Sequence, residues 1–268
     1  MAKEANPKGA RKAHLKEEAP ALSDGQIIRR QIIIVFSVLA VLGALYGAWL
    51  WGEDTGWGNP DRAVKMKLDK ANAAFVDRDL DGAIAIYERL VQKYPNHPMV
   101  SQALTQLGTA YEEKGQLDKA AATYQILLGE IGDDKADLKA YTMLQIGKLL
   151  RQQASYDAAI KEFDLVRSYK PGSDWAGEAL SETGGAWQDQ KDYPKAMAAY
   201  RQLIKEMPAG FLAAEAQSSI GECYEAQDKI RDAIKAYQVV LDKYPSAVWD
   251  QAKARIDILK KRLDKKSS

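Results

Sequence analysis

Small and large apolar residues recur along residues 62–247 in a repeating register. Ala83, Ala120, Ala159, Ala196 and Ala233 stand 37, 39, 37 and 37 residues apart. Twelve residues before each comes another small residue: Ala71, Gly108, Gly147, Gly184 or Gly221. Four residues after each alanine stands an aromatic, Tyr87, Tyr124, Phe163, Tyr200 or Tyr237. Twelve after it comes Pro95, Gly132, Pro171, Pro208 or Pro245. The pattern predicts two antiparallel helices per period. The small residue lets the first helix approach the second, and the alanine returns the contact. The aromatic is expected to fill the wedge between neighbouring repeats, and the proline to end the second helix.

Five such periods exceed the three or so that a stable stack needs. Residues 248–268 follow as one more amphipathic helix, with Trp249, Ala252, Ile256, Leu259 and Leu263 on one face. Its other face is rich in Lys and Arg, so it reads as the solvating cap that closes the array. The terminal KKRLDKK run reads as a solvated helix end that complements the helix dipole.

With those spacings in view, the chain resembles the tetratricopeptide repeat. That pattern also places a large residue three positions after the first small one, a condition met by Tyr111, Leu150, Trp187 and Tyr224 but not by Ala74. Leu80, Leu117, Tyr156, Tyr193 and Ile230 match the position just after the inter-helix turn. The resemblance implies an all-α, right-handed superhelical stack of five helix pairs with a capping helix. Its long period is similar to that of bacterial envelope proteins, such as the Tol-Pal-associated cell-division coordinator and the outer-membrane assembly lipoproteins.

The N-terminal quarter has a different pattern. Residues 1–26 mix Lys, Glu and Ala with Pro7, Gly9 and Pro20, without apolar periodicity, and read as a disordered basic tail. Ser23 and Gln26 make a capping box for a helix that follows. Ile32 to Trp51 is then twenty residues without a charge. As a helix it would reach roughly 30 Å, the thickness of a bilayer's hydrocarbon core. Its eleven Ile, Leu, Val and Phe residues would favour insertion by roughly 3–7 kcal/mol. Residues 27–51 are therefore expected to form a transmembrane signal-anchor helix, with 52–61 as linker. Bulky Trp49 and Trp51 at its end argue against cleavage. Arg29 and Arg30 before it, against Glu53 and Asp54 after it, place the tail in the cytoplasm and the repeats in the periplasm of a single-pass inner-membrane protein. Gly43 and Gly47 form a GxxxG ridge through which a homodimer could pack. This layout is similar to the ancillary subunit of the Sec translocon, which gives an alternative function in handling exported proteins.

Composition narrows the function. Lys and Arg number 38 against 37 acidic residues, a balance without the basic footprint of a nucleic-acid binder. The single Cys223 and the two histidines, His14 and His97, form no cluster with metal-ligand spacing. No nucleophile–base set or phosphate loop stands out, so neither a cofactor nor catalysis is expected. What remains is a scaffold for protein partners, expected to be membrane-associated and to take part in envelope complex assembly. The resemblance implies that first helices line a concave binding face. Counted by register, that face holds Thr105, Thr109, Glu112, Tyr141, Leu144, Lys148, Arg151, Glu178, Ser181, Gln188, Ser218, Glu222 and Glu225. Lys148 and Arg151 are its expected anchors for an acidic segment. The Lys/Asn/Arg clamp of chaperone-tail binders is matched only at Asn72; Leu68, Gln106, Tyr141 and Gln145 fill its other positions.

Overall fold

The computed structural model describes residues 37–44, 59–244 and 248–267. It divides into two units, Met1–Asn59 and Pro60–Ser268.

In the first unit the described part is a helical segment, α1, over residues 37–44, with every residue exposed. The expected transmembrane helix is corrected here. Among the described residues, no helix is long and apolar enough to cross a membrane. The rest of the 27–51 run lies outside the described residues, as do the tail 1–26 and Gly47. An uninterrupted apolar run raises hydropathy but carries no periodicity, so it fixes neither a helix's extent nor what it packs against. The single-pass inner-membrane localisation rested on that span and falls with it. The expected homodimer through that span is left without support.

The described residues of the second unit are helical apart from their turns. Its order is α2 (Pro60–Val76), α3 (Leu80–Lys93), α4 (Val100–Glu113) and α5 (Leu117–Glu130). A short 3-10 turn (Asp133–Lys135) leads into α6 (Ala136–Gln152), α7 (Tyr156–Tyr169), α8 (Asp174–Asp189) and α9 (Tyr193–Glu206). The unit closes with α10 (Phe211–Ala226), α11 (Ile230–Lys243) and α12 (Val248–Ser267). Each helix packs on its chain neighbours, and first helices also meet one another, α2 with α4, α6 with α8, α8 with α10 and α10 with α12. The first helices therefore share one layer and the second helices the other. Helices α3, α7, α9 and α11 stop two residues before Pro95, Pro171, Pro208 and Pro245, because proline has no N–H to continue the ladder.

The marker residues explain the pairing. All five alanines of the register are fully buried. The aromatic differs from expectation, for its ring lies directly on the small residue of its own repeat. A β-carbon built on Gly108 would stand 2.5 Å from Tyr124 Cε1, on Gly147 2.5 Å from Phe163 Cε1, and on Gly221 2.7 Å from Tyr237 Cε1. A side chain added at these glycines would have to displace the ring, which is why the position stays small; the first repeat fills it with Ala71. Burying each ring stabilises the stack by roughly 1.5–3 kcal/mol.

The five turns within repeats share one backbone form. Arg78, Gly115, Ala154, Lys191 and Asp228 all take positive φ, and only one is glycine. Around them the amides of Asp79, Gln116, Ser155, Asp192 and Lys229 donate to the carbonyls of Ala74, Tyr111, Leu150, Trp187 and Tyr224 at 2.8–2.9 Å. This Schellman closure ends the first helix and starts the second within a few residues. Asp79 and Asp192 then also cap the second helix, accepting from the amides of Gly82 (3.0 Å) and Lys195 (3.2 Å).

Between the first two repeats, His97 pins the connecting loop. Its Nδ1 accepts from the Met99 amide at 3.2 Å, so Nε2 carries the proton and donates to Asp61 at 2.8 Å.

Candidate functional site

The layer of first helices presents its polar side chains as a ladder tied to the core. Four register tyrosines pass their hydroxyls through the repeat to this layer. Tyr87 donates to Asn72 Oδ1 at 2.6 Å, Tyr200 to Gln188 Oε1 at 3.1 Å and Tyr237 to Glu225 Oε1 at 2.7 Å, while the Tyr124 hydroxyl lies 3.3 Å from Thr109 Oγ1. Burial pushes the Tyr87 phenol up to about 12 and raises the other three as well, so all four stay protonated at neutral pH. The third repeat has Phe163 at this position. A phenol is dispensable there, since the corresponding first helix, α6, carries Lys148 and Arg151, which find partners on the next repeat.

Those two cations are not where the sequence placed them. Both side chains are less than a third exposed. Lys148 Nζ is held by Glu178 and lies 4.0 Å from Glu182. Arg151 Nη1 donates to Glu182 at 2.7 Å and its Nε to Asp189 at 2.7 Å. Burial works against the guanidinium's charge, but Asp189 and Glu182 outweigh it and hold its pKa above the ordinary value. The expected free anchors for an acidic segment are therefore a clasp between α6 and α8. Leu144 is corrected too. It is fully buried among Ala140, Phe163 and Val166, because an apolar side chain at the edge of the register turns inward.

The remaining expected residues stay at or near the surface. Thr105 and Thr109 are half-buried and donate back to carbonyls one turn earlier, Ser101 (2.8 Å) and Thr105 (3.1 Å). Tyr141 meets Trp175 edge to face, with ring centroids 5.8 Å apart and planes at 70°. Ser181 and Ser218 are half-buried, and Glu222 is exposed, 3.4 Å from Gln188 Nε2. Glu225 is committed to the cap: Arg255 Nε and Nη2 fork onto its two oxygens at 3.0 and 2.9 Å. Glu112 lies nearest the core, and its Oε1 is buried without a hydrogen-bond partner. Burial raises its carboxyl above the usual range, a shift that Tyr124's hydrogen bond and the charge of Lys148 partly offset.

Three residues of this layer escape a reading by register alone. Glu182, Asp189 and Glu215 carry much of its charge; for Glu215 a signal was available, since it precedes Ser218 by three residues and Glu222 by seven, which places it on their helical stripe. Asn72, the single match to the chaperone-tail clamp, spends its carbonyl on Tyr87.

A tetratricopeptide repeat family model matches residues 59–136 and 144–211, and a second model of the same description matches 215–247. The chain belongs to the tetratricopeptide repeat family. Tetratricopeptide repeats are typically non-catalytic scaffolds, and this one mediates protein–protein interactions. Among solved structures it is similar to MamA, at 23% identity over 69% of this chain and 96% of that one, with a TM-score of 0.53. A tetratricopeptide repeat protein from Parabacteroides merdae matches at 16% identity over 73% of each chain, with a TM-score of 0.56. A MamA fragment from Desulfovibrio magneticus matches at 15% identity over 67% of this chain and 93% of that one, with a TM-score of 0.53. At these identities the likeness establishes the fold alone. No curated protein matches the chain.

Proposed function

We propose that this protein is a scaffold that seats a segment of a partner protein along the layer of first helices, chiefly α4, α6, α8 and α10. The observation that carries the reading is the tethering of surface polar groups to the buried tyrosines. Asn72, Thr109, Gln188 and Glu225 are each oriented by a phenol rooted in the core. A surface whose polar groups are already oriented loses less side-chain entropy when a partner binds. Among the described residues the layer of second helices carries fewer such ties: Tyr111 donates to Glu88, and the Tyr224 hydroxyl accepts from Arg201 Nη2 at 3.2 Å.

A photo-crosslinking amino acid at Thr109 or Ser218, on the first-helix layer, and at Ile126 or Leu165, on exposed positions of α5 and α7, tests this directly. The expected result is one common partner captured from Thr109 and Ser218 and absent from Ile126 and Leu165. Adducts formed only from Ile126 and Leu165 would move the binding surface to the second helices.

A further inference from the structure

The charges on this layer decide what kind of segment it can hold, granted that the layer is the binding face. In the middle of the stack, Lys148 and Arg151 of α6 are consumed by α8: Lys148 by Glu178, Arg151 by Glu182 and Asp189. Helix α10 returns no cation. The register position of Lys148 holds Glu222 there, and the position of Tyr141 and Glu178 holds Glu215. Among the described residues, neither Glu215 nor Glu222 has an ion-pair partner, and Glu222 has the long contact from Gln188 Nε2. Helix α8 packs on α10, and Glu178 and Glu215 share a register position, so Glu178, Glu182, Glu215 and Glu222 share one patch; burial and then the neighbouring carboxylates hold Glu215 above its usual range. Glu225, next along α10, is closed off by Arg255.

An independent feature borders this patch. Tyr141 and Trp175 are half-buried and meet edge to face, and the indole N–H donates to Asp137 Oδ1 at 2.9 Å, which fixes the ring. Trp175 precedes Glu178 by one helical turn, so the aromatic edge and the carboxylates lie on a continuous surface. Aromatic faces beside carboxylates suit Lys and Arg side chains, whose apolar stems cover the rings while their heads meet the charge.

We infer that the partner segment is basic, with Lys or Arg heads against Glu215 and Glu222 and a stem or apolar side chain against Tyr141 and Trp175. A cation here meets Glu215 and Glu222, the two carboxylates of the patch that Lys148 and Arg151 do not pair. An acidic segment would have to take Lys148 and Arg151 from α8, leaving Glu178, Glu182 and Asp189 without partners, which is costly for charges that are partly buried.

The test uses the full chain and three fluorescein-labelled peptides of about 15 residues. They share a Leu/Ala/Ser frame and carry Lys, Gln or Glu at the same five positions. Anisotropy at low and moderate salt reads the affinities. The Lys peptide should bind tightest and weaken as salt rises, and the Glu peptide weakest. Glu215→Gln/Glu222→Gln should weaken the Lys peptide by roughly threefold to tenfold, the range for two exposed charge pairs. The charge-matched pair Glu130→Gln/Asp164→Asn, on the second helices, should leave it unchanged. A Glu peptide that binds as well as the Lys peptide, or an α10 double variant without effect, overturns the inference. Crosslinking from Ser218 separates the two ways to fail. Adducts there with all three peptides keep the binding face and reject the charge assignment, whereas adducts only from Ile126 and Leu165 reject the face itself.

Discussion

The guanidinium of Arg151 lies over the backbone of Gly185, with Cζ 2.5 Å from the point where a β-carbon on that residue would stand. One residue earlier, the corresponding point on Gly184 lies 2.4 Å from Tyr200 Cε1. The two adjacent glycines look alike in sequence and do different work. Gly184 seats a buried ring that has nowhere to go. Gly185 seats the far end of a flexible side chain that can swing away.

Alanine at the two positions should therefore give different results. Gly184→Ala gains about 0.5–1 kcal/mol of helix propensity but overpacks against Tyr200 at roughly 1–3 kcal/mol, so a net loss of stability is expected in urea unfolding. Gly185→Ala keeps the propensity gain but displaces Arg151 from Glu182 and Asp189, so the two effects oppose and stability should fall less than in Gly184→Ala. The displacement shows elsewhere: in a double-mutant cycle, the coupling of Arg151 with Glu182 should fall toward zero in the Gly185→Ala background.

Reversing both clasp cations is expected to harm the fold. Lys148→Glu/Arg151→Glu sets two new carboxylates against Glu178, Glu182 and Asp189. Like charges at these distances destabilise, and the junction between α6 and α8 should exchange amide hydrogen faster than in the parent. Unchanged exchange at that junction would show that the clasp contributes nothing.

The turns hold stability in reserve. Ala154 and Lys191 sit at φ of 57° and 63°, in the region that glycine occupies without strain, as Gly115 does at 74°. Ala154→Gly and Lys191→Gly should each stabilise by about 0.5–1 kcal/mol, and Gly115→Ala should cost a similar amount. Thermal melts of the three single variants check the signs together.

Glu112 should make stability depend on pH in the direction opposite to an ordinary paired acid. Its folded carboxyl titrates above its unfolded value because of burial. The native state therefore binds the proton more tightly, and the stability linked to it is full below the unfolded pKa and lost as pH rises through the folded one. Glu112→Gln, a mimic of the protonated acid, should be more stable than the parent at pH 7. The advantage should vanish as pH falls to about 4, where unfolded glutamate is protonated too. A constant advantage across that range would show that the carboxylate's charge is not the cause.

The cap is held at one point more than at another. Glu225 keeps 14% of its side chain exposed beneath the Arg255 fork, whereas Arg262 and Asp228 pair with about half of each exposed. Arg255→Ala should cost roughly 1.5–3 kcal/mol, the range for a hydrogen bond to a charged group, and should speed hydrogen exchange in α12. Arg262→Ala should change stability by less than about 1 kcal/mol.

The repeat was legible in the residues because each of its constraints is local and is imposed four or five times. A glycine that must admit a ring, an alanine between helices and a proline that cannot continue one leave marks at fixed spacing, and helix number, order and ends follow from them. The binding face was legible as a register, but its charge was not. Whether Lys148 and Arg151 are free or taken depends on Glu178, Glu182 and Asp189, acids some 30–38 residues further on, and no pattern within one helix reports them. The apolar run of 32–51 states how oily a segment is and not what it packs against. The positive-φ turns at Arg78, Ala154, Lys191 and Asp228 were hidden because only Gly115 carries the residue that the conformation favours. Sequence alone determined what each repeat had to bury, since burial is set by residue size and spacing. Only the tertiary structure decided which charges remain for a partner, since that depends on what the next repeat brings within reach.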